Sequence, residues 1–456
     1  MSLLIQNGVL VTTEGKLQAD LRVTNGVIEQ MGIALNAHAD DEVVDASGKL
    51  VLPGAIDAHT HLALDVGATF SRDDYYTGTR AAACGGTTTV FDFATQLTGE
   101  TFTDCVLRRD AMCKPDACVD YGFHLAITDA SAELLASLPA CVAGGVSSFK
   151  AYMVYDFGVD DGVLFTLLEA AHKAGALLAV HAENRAMIAL LSKRFLAQGK
   201  TDAWHHYLSR PELVEAEAVE RAIMLSKMAG APLYIVHLSS REAVEAVRRA
   251  RQEGLPIYGE TCPQYLHFTS EVYQRGDGLN FVCSPPIKGQ ASQDALWQAL
   301  KDGTISTVAT DHCPFQQQEK DWGKNDFTKT PNGCAGVETM YPYLLSEANR
   351  GRISFERAVA LCATNVASIF GCSQHKGSLA VGKDADIVLY DPTREYTIRN
   401  AKMHGANDYT IWEGARLQGY PAATYCRGKL VYQDGRFVGE KGYGRFVKCG
   451  APGVNR

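Results

Sequence analysis

The amino-acid sequence predicts an α/β protein: a (β/α)8 TIM barrel with a small β-sandwich built from both termini. The chain of 456 residues exceeds one ordinary domain but fits a large barrel plus a smaller module. Its middle part alternates short apolar runs with amphipathic stretches, and both ends contain short runs separated by turn dipeptides. The predicted division is 1–52 and 375–439 for the sandwich, 53–374 for the barrel and 440–456 for a C-terminal tail.

The two terminal segments have the pattern of β-hairpins. Turn dipeptides such as Asn7-Gly8 and Asn25-Gly26 follow one another closely in the first segment, which leaves little room for helices. Asp434-Gly435 continues this pattern near the other end. We therefore expect the two segments to meet in one sandwich. The tail is rich in Gly and basic residues, so we expect it to be a poor packed element.

Eight apolar runs in the middle segment are the candidate barrel strands. They are Ala55 to Leu62, Thr87 to Ala94, Val119 to Ile127, Val146 to Met153, Leu177 to Glu183, Pro232 to Ser239, Pro256 to Leu266 and Thr307 to Cys313. Helical patterns lie between several of them, for example from Arg185 to Gly199. In the stretch from Ser239 to Gly254, Ser239 and Glu242 form a candidate capping box and Gly254 ends the helix.

Composition and charge exclude several classes of function. The net charge is −9 and no block of Lys or Arg stands apart, so we expect no nucleic-acid partner. No apolar run approaches the roughly 18 residues that span a bilayer, and the N-terminus does not have the pattern of a signal peptide. The 13 scattered cysteines form no Cys-x-x-Cys pair and are expected to be buried thiols. These features predict a cytoplasmic protein with a small-molecule substrate and no membrane contact.

Candidate metal ligands stand at the ends of four predicted strands. His59 and His61 are two residues apart on the first strand, and alternation puts both side chains on the same side. His181, His237 and Asp311 end three later strands. Because a barrel gathers all strand ends around one mouth, we expect these five side chains to converge on Zn²⁺ or a similar ion. His124 and His312 also lie near strand ends, and we assign them structural or supporting roles.

Lys150 is the unusual member of the fourth predicted strand, because its neighbours are apolar or small. An unpaired buried ammonium is costly. By spacing alone, the side chain either reaches solvent or a carboxylate, or it carries CO₂ as an anionic carbamate that bridges two metal ions. Five nitrogen and oxygen ligands crowd one tetrahedral ion, which favours a pair of ions.

The sequence resembles the cyclic amidohydrolases, and within them the D-hydantoinase and dihydropyrimidinase family, with phenylhydantoinase-like members nearest. The similarity runs essentially end to end. It is carried by Pro53-Gly54-Ala55-Ile56-Asp57-Ala58-His59-Thr60-His61, Gly85-Gly86-Thr87-Thr88-Thr89, Ser148-Phe149-Lys150, His181-Ala182-Glu183-Asn184, Glu260-Thr261-Cys262-Pro263-Gln264-Tyr265, Ser284-Pro285-Pro286, Ala309-Thr310-Asp311-His312-Cys313 and Pro331-Asn332-Gly333.

The resemblance implies a site with two zinc ions. In that family pattern, His59 and His61 bind the more buried ion with Asp311, while His181 and His237 bind the more exposed one. Carboxylated Lys150 bridges the pair. The remaining roles are implied in the same way: Tyr155 faces the substrate carbonyl, Asp311 carries the proton, and Ser284 and Asn332 hold the ring amides.

The implied reaction is hydrolytic opening of a cyclic ureide to an N-carbamoyl amino acid, with hydroxide between the two metals as the nucleophile. The resemblance also implies a homotetramer in which the tail reaches a neighbouring subunit. Leu62, Leu64, Phe70, Phe93 and Phe157 are the candidate walls of the pocket for the ring substituent, with Asp65 as a polar alternative.

Individual side chains distinguish the chain from neighbouring families. Dihydroorotases typically have an Arg two residues after the His-x-His motif, whereas this chain has Ala63 there. Allantoinases generally lack the tyrosine found here as Tyr155. Tyr155 thus favours a hydantoinase, and an allantoinase or a non-catalytic dihydropyrimidinase-related scaffold protein is the second interpretation. The sequence does not choose between dihydrouracil and an aryl hydantoin as substrate.

Overall fold

The strands fall into three groups along the chain in the computed structural model, which describes residues 2–453. The N-terminal strands are β1 (Ser2–Gln6), β2 (Val9–Thr12), β3 (Gly15–Gln18), β4 (Asp20–Thr24), β5 (Val27–Gly32), β6 (Asp41–Asp45) and β7 (Leu50–Pro53). The middle strands are β8 (Ala55–Thr60), β9 (Thr87–Thr95), β10 (Asp120–Ala126), β11 (Ser148–Tyr152), β12 (Leu177–His181), β13 (Leu233–Ile235), β14 (Ile257–Thr261) and β15 (Thr307–Val308). The C-terminal strands are β16 (Ile387–Thr397), β17 (Arg416–Cys426), β18 (Lys429–Gln433) and β19 (Arg436–Phe437).

The eight middle strands form the predicted barrel. They lie side by side in chain order, and all neighbouring pairs are parallel. A parallel bridge between Thr60 and His312 joins the first strand to the segment after the last one. All eight therefore end around one mouth, as the sequence predicted.

Helices pack between and around the strands. They are α1 (Tyr75–Cys84), α2 (Phe102–Cys113), α3 (Ala132–Leu135), α4 (Leu138–Gly144), α5 (Asp161–Lys173), α6 (Arg185–Ala197), α7 (Ala203–Leu208), α8 (Glu212–Ala229), α9 (Arg241–Gln252), α10 (Pro263–His267), α11 (Gln290–Asp302), α12 (Gln317–Lys320), α13 (Met340–Asn349), α14 (Phe355–Val359) and α15 (Asn365–Ile369). Within residues 2–453, none has the length and apolar character needed to cross a bilayer.

Two local expectations were wrong. The predicted strand from Pro256 to Leu266 ends at Thr261, and α10 follows, because proline fits the first turn of a helix, where its missing N–H is not needed. Helix α9 is capped by Ser240, whose hydroxyl accepts a hydrogen bond from the backbone of Ala243. The hydroxyl of Ser239 instead donates to buried Glu215 at 2.6 Å.

The two terminal segments meet, as expected. Strand β7 pairs with β16 in antiparallel register, with Pro53 opposite Ile387. The resulting seven-stranded sheet has the order β19-β18-β17-β16-β7-β2-β3, and a second sheet has the order β5-β4-β1-β6. Apolar side chains from both ends of the chain fill one core between them, including Leu3, Leu10 and Tyr425. The division at residues 52, 374 and 439 stays a prediction.

The C-terminal tail is a packed element, contrary to expectation. The backbone of Val447 donates to the carbonyl of Tyr121 at 2.7 Å, at the beginning of β10. Val447 and Cys449 are buried in an apolar cluster that also contains Ile56 and Phe370. The tail thus packs at the amino-terminal end of the barrel of its own chain, opposite the mouth. Individual apolar residues made this possible despite the Gly-rich composition. The last residues, 454–456, lie outside the described part.

Lys376 holds this end of the barrel to the terminal sheets. Its buried ammonium lies 2.9 Å from Asp384 and 2.7 Å from Asp386, and it also pairs with Asp120 at the beginning of β10. The guanidinium of Arg427 contacts Asp120 as well, at 3.0 Å. Carboxylates from two parts of the fold therefore share one buried cation.

Replacement of Lys376 by Met should destabilise the fold by about 3–5 kcal/mol, because it leaves buried carboxylates without their partner. The measurement is urea unfolding at pH 7. Lys441→Met is the matched control, since Lys441 forms an exposed pair with Asp116 that water screens. Equal unfolding midpoints for the two variants would contradict this role of Lys376.

Candidate metal centre

The predicted site residues converge at the mouth of the barrel. They line a cavity of about 850 Å³ that is open to solvent. The described residues that line it and were predicted from the sequence as metal ligands or substrate contacts are His59, His61, Lys150, Tyr155, His181, His237, Ser284, Asp311 and Asn332. Strands β8, β11 and β12 and the segments directly after β8, β13 and β15 supply the ligand candidates.

One group of donors consists of His59, His61 and Asp311. The Nε2 atoms of both histidines lie 3.1 Å from Oδ1 of Asp311. One nitrogen or oxygen atom from each of the three residues lies within 4.8 Å of the others. Two imidazoles and one carboxylate in this arrangement are a typical donor set for a divalent transition metal.

A second group consists of His181 and His237. Nδ1 of His181 and Nε2 of His237 face each other at 3.0 Å. The rings of His59 and His237 are 5.5 Å apart, so the two groups are neighbours across the barrel mouth. Together with Asp311, the two pairs of imidazoles offer five donors, one more than a single tetrahedral ion uses.

Lys150 lines the same cavity as these groups, without a hydrogen-bond partner among the described residues. Its ammonium is fully buried, and none of the described residues accepts a hydrogen bond from it. Its nearest aromatic rings are those of Phe93 and Tyr152, with centres 5.1 and 5.2 Å away. Burial lowers the pKa of Lys150 to about 8, although Glu260 and Asp311 act in the opposite direction. An amine without partners amid metal-ligating side chains fits the predicted pair of ions.

Buried carboxylates fix two of the histidine rings through the ring nitrogen that does not face the other donors. Nδ1 of His59 lies 2.8 Å from Glu260, and Nε2 of His181 lies 2.8 Å from Glu183. Arg210 donates to the same oxygen of Glu183 at 2.6 Å. Such contacts are typical of metal-binding histidines, because they fix the tautomer and orient the other nitrogen.

Electrostatics prepare most of these donors to bind a cation. Burial lowers the pKa of His61, His181 and His237, which favours the neutral imidazole that binds metals. Burial raises the pKa of Asp311, but the charge of His59 and hydrogen bonds from both neighbouring histidines outweigh it and hold that pKa well below its usual range. Asp311 is therefore a carboxylate at neutral pH.

Strained backbone marks the same region. Tyr155, His237 and Asp311 have positive φ angles of 70°, 40° and 52°, which are uncommon for residues other than glycine. Each such conformation costs about 1–3 kcal/mol, and such residues cluster at functional sites. The fold keeps three predicted site residues in this conformation, and their side chains all face the cavity.

The cavity wall agrees only in part with expectation. Leu64, Asp65 and Phe157 line it, together with Tyr152 and Trp322, which the sequence did not single out. The other three expected wall residues do not line it: Leu62 and Phe93 are buried, and Phe70 is exposed. Phe93 instead packs on His59 and His61, with ring centres 4.8 Å apart in both cases. Exposure and strand direction determine whether an apolar side chain lines the cavity or packs in the core. The residue type alone does not determine this.

Two further histidines have structural partners, as expected. Nε2 of His124 lies 2.9 Å from the carbonyl oxygen of Ala58. Nε2 of His312 lies 3.0 Å from Asp73, and its Nδ1 accepts a hydrogen bond from the backbone of Gly336 at 3.0 Å. Both rings are engaged by protein groups, so they support the site from outside it.

The supporting residues Glu183, Arg210 and Glu260 were not assigned roles from the sequence. All three are buried, with at most 8% of their surface exposed. The available signal was a charged residue within or next to an apolar strand, since a buried charge needs a partner. The sequence contained that signal, but it did not name the partner.

The barrel has eight parallel strands, and histidines, an aspartate and a lysine stand at their carboxyl ends. This combination defines a class of hydrolases with metal-ligating donors at the barrel mouth. The model of the Amidohydrolase family matches residues 50–431, and the chain belongs to that family.

Relatives that are similar over the whole chain narrow this class. The chain is 42% identical to a D-hydantoinase of Geobacillus stearothermophilus over 455 residues, which cover 98% of this chain and 96% of the relative. It is 41% identical to a D-phenylhydantoinase of Escherichia coli O1:K1 / APEC, with 98% of each chain covered. The crystal structure of dihydropyrimidinase from Brevibacillus agri NCHU1002 superimposes with a TM-score of 0.97 at 41% identity, covering 99% of both chains.

Proposed function

We propose that this chain is a cyclic-amide hydrolase that opens hydantoin or dihydropyrimidine rings to N-carbamoyl amino acids. The observation that carries the proposal is the convergence of four histidines, Asp311 and the unpartnered Lys150 on one large cavity. The names of the most similar relatives, D-hydantoinase and D-phenylhydantoinase, support the choice of ring. A complete set of donors argues against a scaffold that has lost its metal site.

The site holds two Zn²⁺ ions in this proposal. His59, His61 and Asp311 bind one ion, and His181 and His237 bind the other. When bound, such ions polarise a carbonyl group and make hydroxide available from water near neutral pH. The two separate donor groups, with Asp311 3.1 Å from each of two imidazole nitrogens, support this distribution.

Lys150, as a carbamate, would be the anionic residue that holds both ions. The neutral amine attacks the carbon of CO₂, one N–C bond forms, and one proton is released. The lowered pKa of about 8 favours the neutral amine, and the lack of hydrogen-bond partners leaves Nζ free to react. The product is an anion with two oxygen donors, which suits a position between two cations.

Asp311 holds and moves the proton. As a carboxylate with a low pKa, it accepts the proton of the attacking nucleophile. It then passes that proton to the ring nitrogen, so that the nitrogen leaves as the neutral NH₂ of the carbamoyl group after the C–N bond breaks. Its fixed position beside His59 and His61 keeps the accepting oxygen within the cavity.

Tyr155, Ser284 and Asn332 orient the ring. Burial raises the pKa of the Tyr155 phenol, which therefore stays protonated and donates to the carbonyl oxygen as charge develops there. Oγ of Ser284 and Oδ1 of Asn332 are buried without partners among the described residues. A cyclic ureide offers N–H donors and carbonyl acceptors that satisfy both atoms.

Replacement of Tyr155 by Phe should lower kcat by about 10²–10³-fold, because one donor to the developing oxyanion is lost. Metal content should stay unchanged, since none of the proposed ligands is altered. The measurements are steady-state ring opening and elemental analysis of the same sample. Unchanged kcat would remove the phenol from the reaction, and loss of metal would assign it a structural role instead.

The substrate is tested by comparing dihydrouracil, 5-phenylhydantoin and allantoin on zinc-loaded protein prepared with bicarbonate, with a metal-stripped control. Metal-dependent opening of either of the first two rings, with allantoin inert, is the expected result. The cavity of about 850 Å³ leaves room for a ring substituent beyond the small hydantoin ring, which favours the phenyl derivative. Opening of allantoin alone would identify an allantoinase, and inert protein without bound metal would identify a scaffold.

We further propose a homotetramer in the cytoplasm. All thirteen cysteines are free and buried, which supports a reducing compartment. The tail packs on its own barrel through Tyr121, so any contact it makes with another subunit uses its outer side. Light scattering of the purified protein tests the expected four copies.

A further inference from the structure

Glu260 occupies a special position behind the candidate metal centre. It lies on β14, and its side chain is fully buried. One carboxylate oxygen, Oε1, is 2.8 Å from Nδ1 of His59 and accepts a hydrogen bond of 3.0 Å from the backbone N–H of His237. The other oxygen, Oε2, accepts a hydrogen bond of 2.8 Å from the hydroxyl of Tyr234. One carboxylate thus holds residues of both donor groups.

The two contacts control different degrees of freedom. At His59, an acceptor at Nδ1 orients the ring so that Nε2, which lies 3.1 Å from Asp311, is the nitrogen on the cavity side. At His237, the contact holds the backbone N–H of a residue with a φ of 40°. Because that conformation is strained, an anchor at its N–H fixes the direction in which the ring leaves the backbone.

Glu183 provides the contrast within the same molecule. It contacts one candidate ligand, His181, and its charge is matched by Arg210 at 2.6 Å. Glu260 forms an ion pair only with His59 among the charged groups of residues 2–453. The two glutamates are therefore similar in burial and chemistry but differ in the number of donor groups they hold.

We infer that Glu260 is a positioning residue that couples the two metal sites, so that its loss weakens the binding of both ions. Glu183, in contrast, supports one site only. This inference rests on the proposed two-ion function. It assigns to Glu260 a role through His59 and His237, without contact to the substrate.

The test compares E260Q with E183Q, since both changes keep the size of the side chain and remove its charge. Zinc affinities are measured by competition with a chromophoric chelator, and the absorption bands of bound Co²⁺ report the geometry at each ion. For wild-type protein we expect two ions. For E260Q, both dissociation constants should rise by about 10–100-fold with altered cobalt bands, and for E183Q only one constant should rise.

Y234F is the milder companion variant, because it keeps the carboxylate and removes the hydroxyl that holds Oε2. It should weaken both ions in the same direction as E260Q by a smaller factor, and it decides the matter if E260Q does not fold. Loss of affinity at one ion or at neither would overturn the coupling. Wild-type protein that binds a single ion would overturn the proposed two-ion centre, and the coupling with it.

Discussion

Replacement of Lys150 by Ala is expected to abolish ring opening and to reduce the metal content of the protein. The loss in kcat should be at least about 10³-fold, or some 4 kcal/mol of transition-state stabilisation. The physical reason is that the variant loses the group that bridges the two donor sets as an anion in the proposed function. Truncation of the side chain also enlarges the cavity that Lys150 lines. The measurements are kcat and zinc content for protein prepared with and without bicarbonate.

Lys150→Arg is the matched control for this prediction. It keeps a cation of similar length but forms no carbamate under these conditions, since its guanidinium stays protonated. If Lys150 acts as a carbamate, both variants should be inactive, and bicarbonate should help only the wild-type protein. An active arginine variant would show that a positive charge is what the site requires. An active alanine variant with two bound ions would refute the bridge.

Replacement of Asp311 by Asn should lower kcat by about 10²–10⁴-fold, the range expected when a general acid-base group is lost. Asn keeps an oxygen that can bind a metal but has no basic carboxylate to accept a proton. We therefore expect a much larger effect on kcat than on KM. The ion proposed to bind His181 and His237 should still be present. The measurements are kcat and KM across pH, together with zinc content.

Asp277→Asn is the control for this variant, because Asp277 forms an exposed ion pair with Arg275 far from the cavity lining. Its kcat should match that of the wild-type protein. If the Asp311 variant kept kcat within about threefold of wild type, a value below the expected range, another group would have to carry the proton. If it lost all metal, its role as a ligand would dominate.

The local sequence determined much of the fold and part of the site. Alternating βα patterns predicted the eight barrel strands, because buried apolar residues repeat with a different period in a strand than in an amphipathic helix. The spacing of His59 and His61, and the positions of His181, His237 and Asp311 at strand ends, predicted that they meet at the mouth, because parallel strands end together. The prediction from local sequence was wrong at Pro263, where a helix begins in place of the expected end of a strand.

Only the tertiary structure decided which groups are left without partners and which charges meet. The apolar neighbours of Lys150 indicated burial, but nothing in the sequence showed that its ammonium lies beside Phe93 with no acceptor among the described residues. The contact between His59 and Glu260 joins residues 201 positions apart. The tail was misjudged for the same reason, since Val447 is buried against strand residues more than 300 positions earlier. Sequence patterns report the preference of a residue for burial or exposure, whereas partners are chosen by the packing of distant segments.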